Sequence, residues 1–390
     1  MQDIVRYTFP TTIFFGPGAR RRLPAALAEV GASRPLVVTD RGLARLPVVA
    51  ELVAMLRESG FDTRVYCEIF GNPVKSQVTG GTHAFRDGHR DSIVALGGGA
   101  ALDVAKAIAL MVHHPGDLFD YEDGKPGALS VDKPIPFIAA LPTTAGTGSE
   151  VGRACVVSDD VTHAKKIVFH PRLMPTRVFA DPELTLGLPA PITAATGMDA
   201  LTHLVEAYLA PGTHPLCDGI ALEGVRLVAR SLDAAVDMAR RGVGATPEHL
   251  AARGDMLNAA MMGAVAFQKG LGVTHSCAHA LSTVCDLHHG LANGILLPAT
   301  MTFNGPACPE RFAALAMAAG AGQGPGTFVP WLRRLQAKLG VPATLAEVGV
   351  EARHLPQLVE LALLDGCHAT NPRPVARADV ERIFREALGA

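Results

Sequence analysis

Between Pro35 and Leu141 the chain alternates short apolar runs with amphipathic stretches, and this rhythm restricts its fold more than any other feature. Pro35-Leu-Val-Val-Thr-Asp40, Thr63-Arg-Val-Tyr-Cys-Glu-Ile-Phe70, Ser92-Ile-Val-Ala-Leu96 and Pro136-Phe-Ile-Ala-Ala-Leu141 read as strands. An earlier strand over 11–15 closes on the turn Gly16-Pro-Gly18. Helices are expected over about 41–59, 75–90 and 101–112. Strands separated by helices are joined by right-handed crossovers, so a mainly parallel α/β sheet follows. Past Asp181–Pro189 only long helical periodicities remain, for example Ala221 to Ala239 and Leu250 to Gln268. A chain of 390 residues exceeds one typical core. We therefore expect an α/β domain over 1–188 and an all-helical domain over 189–390. The Gly/Ala-rich stretch 318–326 reads as a surface loop.

Parallel sheets bind ligands at the carboxyl ends of their strands, which directs attention to two loops of small residues. Gly97-Gly-Gly99-Ala-Ala-Leu-Asp103-Val-Ala-Lys106 follows a strand and opens a helix. Its glycines let backbone N–H groups approach a phosphate, although it lacks the G-x-G-x-x-G order. Pro142-Thr-Thr144-Ala-Gly-Thr147-Gly-Ser149-Glu150 adds hydroxyls after the next strand. Tight turns alone would explain one such loop; two on one sheet point to a phosphorylated ligand. Asp40 can accept from a ribose and repel a 2'-phosphate, favouring NAD over NADP, while capping the next helix is the competing role. Asn72-Pro73 is a turn on the same edge.

The second half carries Gly197-Met-Asp199-Ala-Leu-Thr-His203 and, later, His275-Ser-Cys-Ala-His279. Each pair is spaced by four, so its members share a helix face. His289 stands before Gly290, where the helical pattern is expected to break. Asp199, His203, His275 and His289 together offer a four-ligand N/O site for a divalent metal. Ordinary helix-surface polarity explains one such pair far better than it explains two in apolar surroundings.

Several classes are disfavoured. A net charge of −2 without a Lys/Arg stripe gives no nucleic-acid footprint. No apolar run approaches the ~20 residues that span a bilayer, and Met1–Tyr7 lacks the layout of a secretory leader. Seven cysteines without CxxC spacing argue for a reducing compartment, hence a soluble cytoplasmic protein.

The two loops, Gly197–His203, His275…His279…His289-Gly290 and Asn293-Gly-Ile-Leu-Leu-Pro298 resemble the iron-containing, or group III, alcohol dehydrogenases nearly end to end. The resemblance implies a Rossmann-like amino-terminal part and a helical carboxyl-terminal part, commonly assembled as a homodimer. It implies that Asp199, His203, His275 and His289 hold Fe²⁺, or in some relatives Zn²⁺. It implies further that Asp40, Asn72, Gly98, Gly99, Asp103, Thr143, Thr144, Thr147 and Lys165 line the dinucleotide site. His279 matches a histidine near the nicotinamide that is not a ligand in most members, and we assign it a proton-relay role, the alternative being that it supports a ligand or packs. Members lacking the aspartate or a histidine do other chemistry, such as metal-independent maleylacetate reduction; this chain retains the full set.

Departures bear on substrate. His288 stands where many relatives have proline, so two adjacent histidines could compete for the metal; register favours His289. Phe267-Gln-Lys-Gly-Leu-Gly272 and Cys367-His-Ala-Thr-Asn-Pro372 resemble the 4-hydroxybutyrate dehydrogenase branch. Lys269 near a metal would attract an anionic substrate tail, the alternative being that it points to solvent. The expected activity is NAD-linked, metal-dependent oxidation of a small primary alcohol, or reduction of its aldehyde, extending to an ω-hydroxy acid such as 4-hydroxybutyrate. A general short-chain alcohol dehydrogenase, a dehydroquinate-synthase-like lyase and a non-catalytic binding protein are the alternatives.

Overall fold

The computed structural model describes residues 11–389, so the amino-terminal stretch read for a leader lies outside them. By compactness the chain divides into two units, one comprising residues 11–144 with Ser149–Thr185, the other Ala145–Gly148 with Leu186 onward.

The first unit is built on eight strands: β1 (Thr12–Phe15), β2 (Pro35–Asp40), β3 (Arg64–Ile69), β4 (Ser92–Gly97), β5 (Phe137–Pro142), β6 (Ala154–Ser158), β7 (Lys165–Phe169) and β8 (Arg177–Ala180). Six of them form a parallel sheet in the order β1-β8-β5-β4-β2-β3. Strands β2, β4 and β5 are buried almost throughout, as apolar runs must be when helices cover both faces of a sheet. Helices α1 (Leu23–Glu29), α2 (Pro47–Glu58), α3 (Lys75–Asp87) and α4 (Gly99–Met111) supply the crossovers.

Helix α2 starts at Pro47, later than the pattern suggested, because the residue before a proline is pushed out of the helical region. Leu46 is indeed extended. The antiparallel hairpin β6–β7 had no expectation behind it. Its strands are five residues each, joined by an Asx turn in which Asp159 Oδ1 accepts from the N–H groups of Val161 and Thr162.

The second unit is wholly helical among the described residues: α5 (Ala190–Leu209), α6 (Pro215–Arg240), α7 (Pro247–Ala266), α8 (Val273–Cys285), α9 (His289–Asn304), α10 (Pro309–Ala318), α11 (Phe328–Leu339), α12 (Leu355–Leu364) and α13 (Arg377–Leu388). Proline at the first turn opens several of them, where its missing N–H costs nothing. Among the described residues no helix is long and apolar enough to cross a membrane. All seven cysteines are free thiols.

Segment Ala145–Gly148 leaves the sheet unit and belongs to the helical one. A methyl group on Gly148 would lie 2.4 Å from the Ala264 side chain and 2.5 Å from the Ala260 carbonyl oxygen, so only a glycine lets this segment lie against α7.

Candidate metal centre and nucleotide loops

Helix α5 carries Asp199, His203 and Glu206 at positions i, i+4 and i+7, one face of a helix that is buried along nearly its whole length. It can be buried because α6 approaches closely. A methyl on Gly197 would stand 2.1 Å from Leu232, and one on Gly224 2.3 Å from Leu204. Helix α8 carries His275 and His279 on one face and ends at Cys285. The chain turns through Asp286 in the left-handed region (φ 48°).

The break thus comes before His289, which is the first residue of α9, and Gly290 lies inside that helix. The expected break at Gly290 is corrected accordingly. Glycine is required there for close approach, since a Cβ would sit 2.4 Å from the Ala195 carbonyl oxygen of α5. His288 is the amino-terminal cap of α9, its Nδ1 accepting from Leu291 N–H at 3.3 Å. That role separates the two adjacent histidines.

One donor atom from each of Asp199, His203, His275 and His289 lies within 4.8 Å of the others. His203 and His275 stack with ring centroids 4.6 Å apart, and His289 Nε2 is 3.4 Å from Asp199 Oδ1. Two residues that pattern reading left unassigned hold the set in place. Glu206 Oε2 accepts from His275 Nδ1 at 2.6 Å and from Gly272 N–H at 3.0 Å, while Oε1 accepts from Thr274 N–H at 2.7 Å. This network puts the His275 proton on Nδ1 and leaves Nε2 as a lone pair. Asn293 Nδ2 donates to Asp199 Oδ1 at 2.8 Å and lies 3.2 Å from His289 Nε2.

Burial pushes His203 down to about 4, so its imidazole is neutral at ordinary pH. Burial also opposes charge on His275, but the hydrogen bond and charge of Glu206 outweigh it and raise its pKa. Three imidazoles and one carboxylate, all but His289 buried and with one tautomer fixed by a second carboxylate, fit a divalent first-row cation such as Fe²⁺ or Zn²⁺.

His279 stands beside this set. Its ring stacks on His289 at 5.2 Å and its Nδ1 bonds Asp365 Oδ2 at 2.7 Å. Lys269 is not brought to the cluster, and its expected role as an anchor for an anionic tail is corrected. The 3-10 turn Phe267–Lys269 and Gly270 (φ 131°) direct its ammonium to Asp218 Oδ1 at 2.6 Å and the Tyr208 carbonyl at 3.1 Å. Asp218 Oδ2 takes Arg311 at 2.9 Å. With its side chain 3% exposed, Lys269 is held in this ion pair and not in solvent.

At the carboxyl ends of β4 and β5, Thr143 N–H donates to the Gly97 carbonyl at 3.0 Å. A methyl on Gly97 (φ 153°) would meet the Ala101 side chain at 2.7 Å, and one on Gly98 would meet Thr144 at 3.1 Å. Helix α4 begins at Gly99, so its open N–H groups face this glycine loop, a cradle suited to a pyrophosphate. Asp40 Oδ1 accepts from the N–H of Leu43, three residues on, at 2.8 Å, while Oδ2 lies 3.6 Å from the Cβ position of Gly97.

Asp103 accepts from Ser149 Oγ at 2.5 Å and Val156 N–H at 3.0 Å, bracing α4 against β6. Thr143 is buried and Thr144 half-buried in the sheet unit, whereas Thr147 belongs to the helical unit. Asn72 is exposed after β3, and Lys165 opens β7. Glu150, which the mechanism of neither loop required, is fully buried, and burial pushes its carboxyl up to about 7.

Replacing Gly290 with alanine forces α9 away from a backbone carbonyl that cannot yield. We expect a loss of about 1–3 kcal/mol in chemical denaturation and weaker metal retention on dialysis, because His289 is its neighbour. Unchanged stability and metal content would contradict the close approach.

Residues 10–182 match the family model described as iron-containing alcohol dehydrogenase, and residues 193–388 match the carboxyl-terminal model of the same family. The chain is 38% identical to the 1,3-propanediol dehydrogenase of Citrobacter freundii over 98% of each protein. It is 37% identical to the 4-hydroxybutyrate dehydrogenase of Cupriavidus necator, covering 97% of this chain and 98% of that one. A crystal structure of 1,3-propanediol oxidoreductase superposes with a TM-score of 0.92 at 36% identity, covering 99% of this chain and all of the other.

Proposed function

The chain belongs to the iron-containing alcohol dehydrogenase family, and from that premise we propose an NAD-linked, divalent-metal-dependent dehydrogenase of short primary alcohols, equally a reductase of their aldehydes. The observation that carries the reading is the convergence of Asp199, His203, His275 and the half-buried His289, with Glu206 fixing the His275 tautomer. A divalent cation supplies Lewis acidity toward an alcohol or carbonyl oxygen, and a nicotinamide accepts or gives the hydride.

The protein's own residues do the rest. Glu206 and Asn293 orient His275 and Asp199. Asp365 orients His279, our candidate for moving a proton between substrate and solvent. The Gly97–Gly99 loop and the start of α4 offer N–H groups to a pyrophosphate, and Asp40 favours a ribose without a 2'-phosphate. In this reading residues 1–188 bind the dinucleotide and 189–390 the metal.

For the substrate, we infer a neutral short chain such as a propanediol. The ion pair of Lys269 with Asp218 removes the cation on which a preference for an ω-carboxylate rested. The second reading, a 4-hydroxybutyrate-type substrate, is favoured by the relative of that name. The test is steady-state NADH oxidation by protein purified without oxygen and loaded with Fe²⁺, comparing butyraldehyde with succinate semialdehyde. We expect the neutral aldehyde to be reduced at least as fast. A tenfold preference for the charged one, about 1.4 kcal/mol, would favour the second reading. Turnover of neither aldehyde would overturn the short-chain substrate class.

A further inference from the structure

A second group of metal-ligating side chains lies outside the set already described. His279 sits one helical turn beyond His275 on α8, with its side chain 23% exposed. Asp365 caps the carboxyl end of α12 and opens the 3-10 turn Gly366–Thr370, its Oδ1 accepting from Cys367 N–H at 2.8 Å. That bond curls the chain back so that Cys367 faces the same point. One donor atom from each of His279, Asp365 and Cys367 lies within 4.8 Å of the others. The carboxylate is prearranged: Ser276 Oγ donates to Asp365 Oδ1 at 2.9 Å, and His368 N–H in turn donates to Ser276 Oγ at 2.9 Å.

We propose that His279, Asp365 and Cys367 form a second cation site, selective for a thiophilic divalent metal such as Zn²⁺, beside and separate from the Asp199/His203/His275/His289 set. The donor types decide the selectivity. The first set contains no sulfur, whereas this one joins a sulfur, an imidazole and a carboxylate, three protein ligands that leave a fourth position for water. Binding balances as a proton exchange. The cation displaces the proton shared between His279 Nδ1 and Asp365 Oδ2, and the Cys367 thiol releases its proton to solvent as the sulfur–metal bond forms; nothing is oxidised.

Burial and the adjacent Asp365 carboxylate hold the Cys367 thiol protonated otherwise, so it is a poor free nucleophile and needs the metal to ionise. A cation there also claims the His279 imidazole. If His279 serves the proposed reaction, excess Zn²⁺ inhibits with the first site still filled. That corollary rests on the proposed function; the metal count does not.

The experiment strips the full-length protein with chelator, reloads it with excess Zn²⁺ alone, removes unbound ion by gel filtration and counts equivalents. Two per chain are expected, falling to one in Cys367→Ser. With Cd²⁺ alone, an ultraviolet thiolate-to-metal band is expected in the wild type and in His203→Ala, and is lost in Cys367→Ser. Should the serine variant fail to fold, Asp365→Asn, which keeps the thiol, is expected to bind the second equivalent at least about tenfold more weakly. One equivalent and no thiolate band in the wild type, or a band unchanged in Cys367→Ser, would overturn the site.

Discussion

His275→Ala loses metal and turnover together. The imidazole it removes is one of four donors converging within 4.8 Å, and the one whose lone pair is set by a dedicated carboxylate. Without Lewis acidity several kcal/mol of stabilisation at the reacting oxygen disappear, about a thousandfold or more in kcat/KM. Metal analysis and anaerobic steady-state kinetics on the same Fe²⁺-loaded sample check this, and a metal-free variant with appreciable activity would sink the proposed function. The substitution also takes from the buried Glu206 carboxylate one of its hydrogen-bond donors, so a loss of about 1–3 kcal/mol in folding stability is expected alongside. His203→Ala has no such coupling. It is expected to lose the metal with a smaller loss of stability, which separates the chemical from the structural effect.

Substituting Glu206 gives the second large effect. This buried carboxylate accepts from His275 Nδ1 and from the N–H groups at the start of α8, so it joins α5 to α8 and orients the His275 ring at once. Glu206→Gln keeps the volume and loses the charge. Metal affinity is expected to fall about 10–100-fold with a modest stability change. Glu206→Ala additionally leaves several buried donors without an acceptor and is expected to cost about 3–5 kcal/mol.

The acid limb of stability carries the same signature. Burial would raise the Glu206 pKa, but its hydrogen bonds outweigh that and lower it. Its contribution is therefore fully present above the ordinary carboxylate range and is lost as pH falls through the depressed native value. Metal titration with denaturation at two pH values tests both statements. Unaltered affinity in Glu206→Gln would reduce this residue to a packing role.

Asp199, His203 and His275 were legible because helical spacing alone puts them on inward faces, and β2, β4 and β5 because buried parallel strands read as continuous apolar runs. What failed to read were contacts through space. Glu206 shares its helix face with His203, but nothing local says that its partner is 69 residues downstream. Asp365, 86 residues beyond His279, is invisible for the same reason. Lys269 misled because its direction depends on a positive-φ glycine and on Asp218, 51 residues upstream. The hairpin β6–β7 is too short for its alternation to stand out.

The placement of Ala145–Gly148 has a consequence for synthesis. These residues leave the ribosome about a hundred residues before the α7 surface that receives them exists. During translation the sheet can form while the loop after β5 still lacks its seat. The second threonine-bearing loop therefore takes its final shape only after Ala260 and Ala264 have emerged. Nascent chains halted before α7 would expose that loop to protease, and chains halted after it would not.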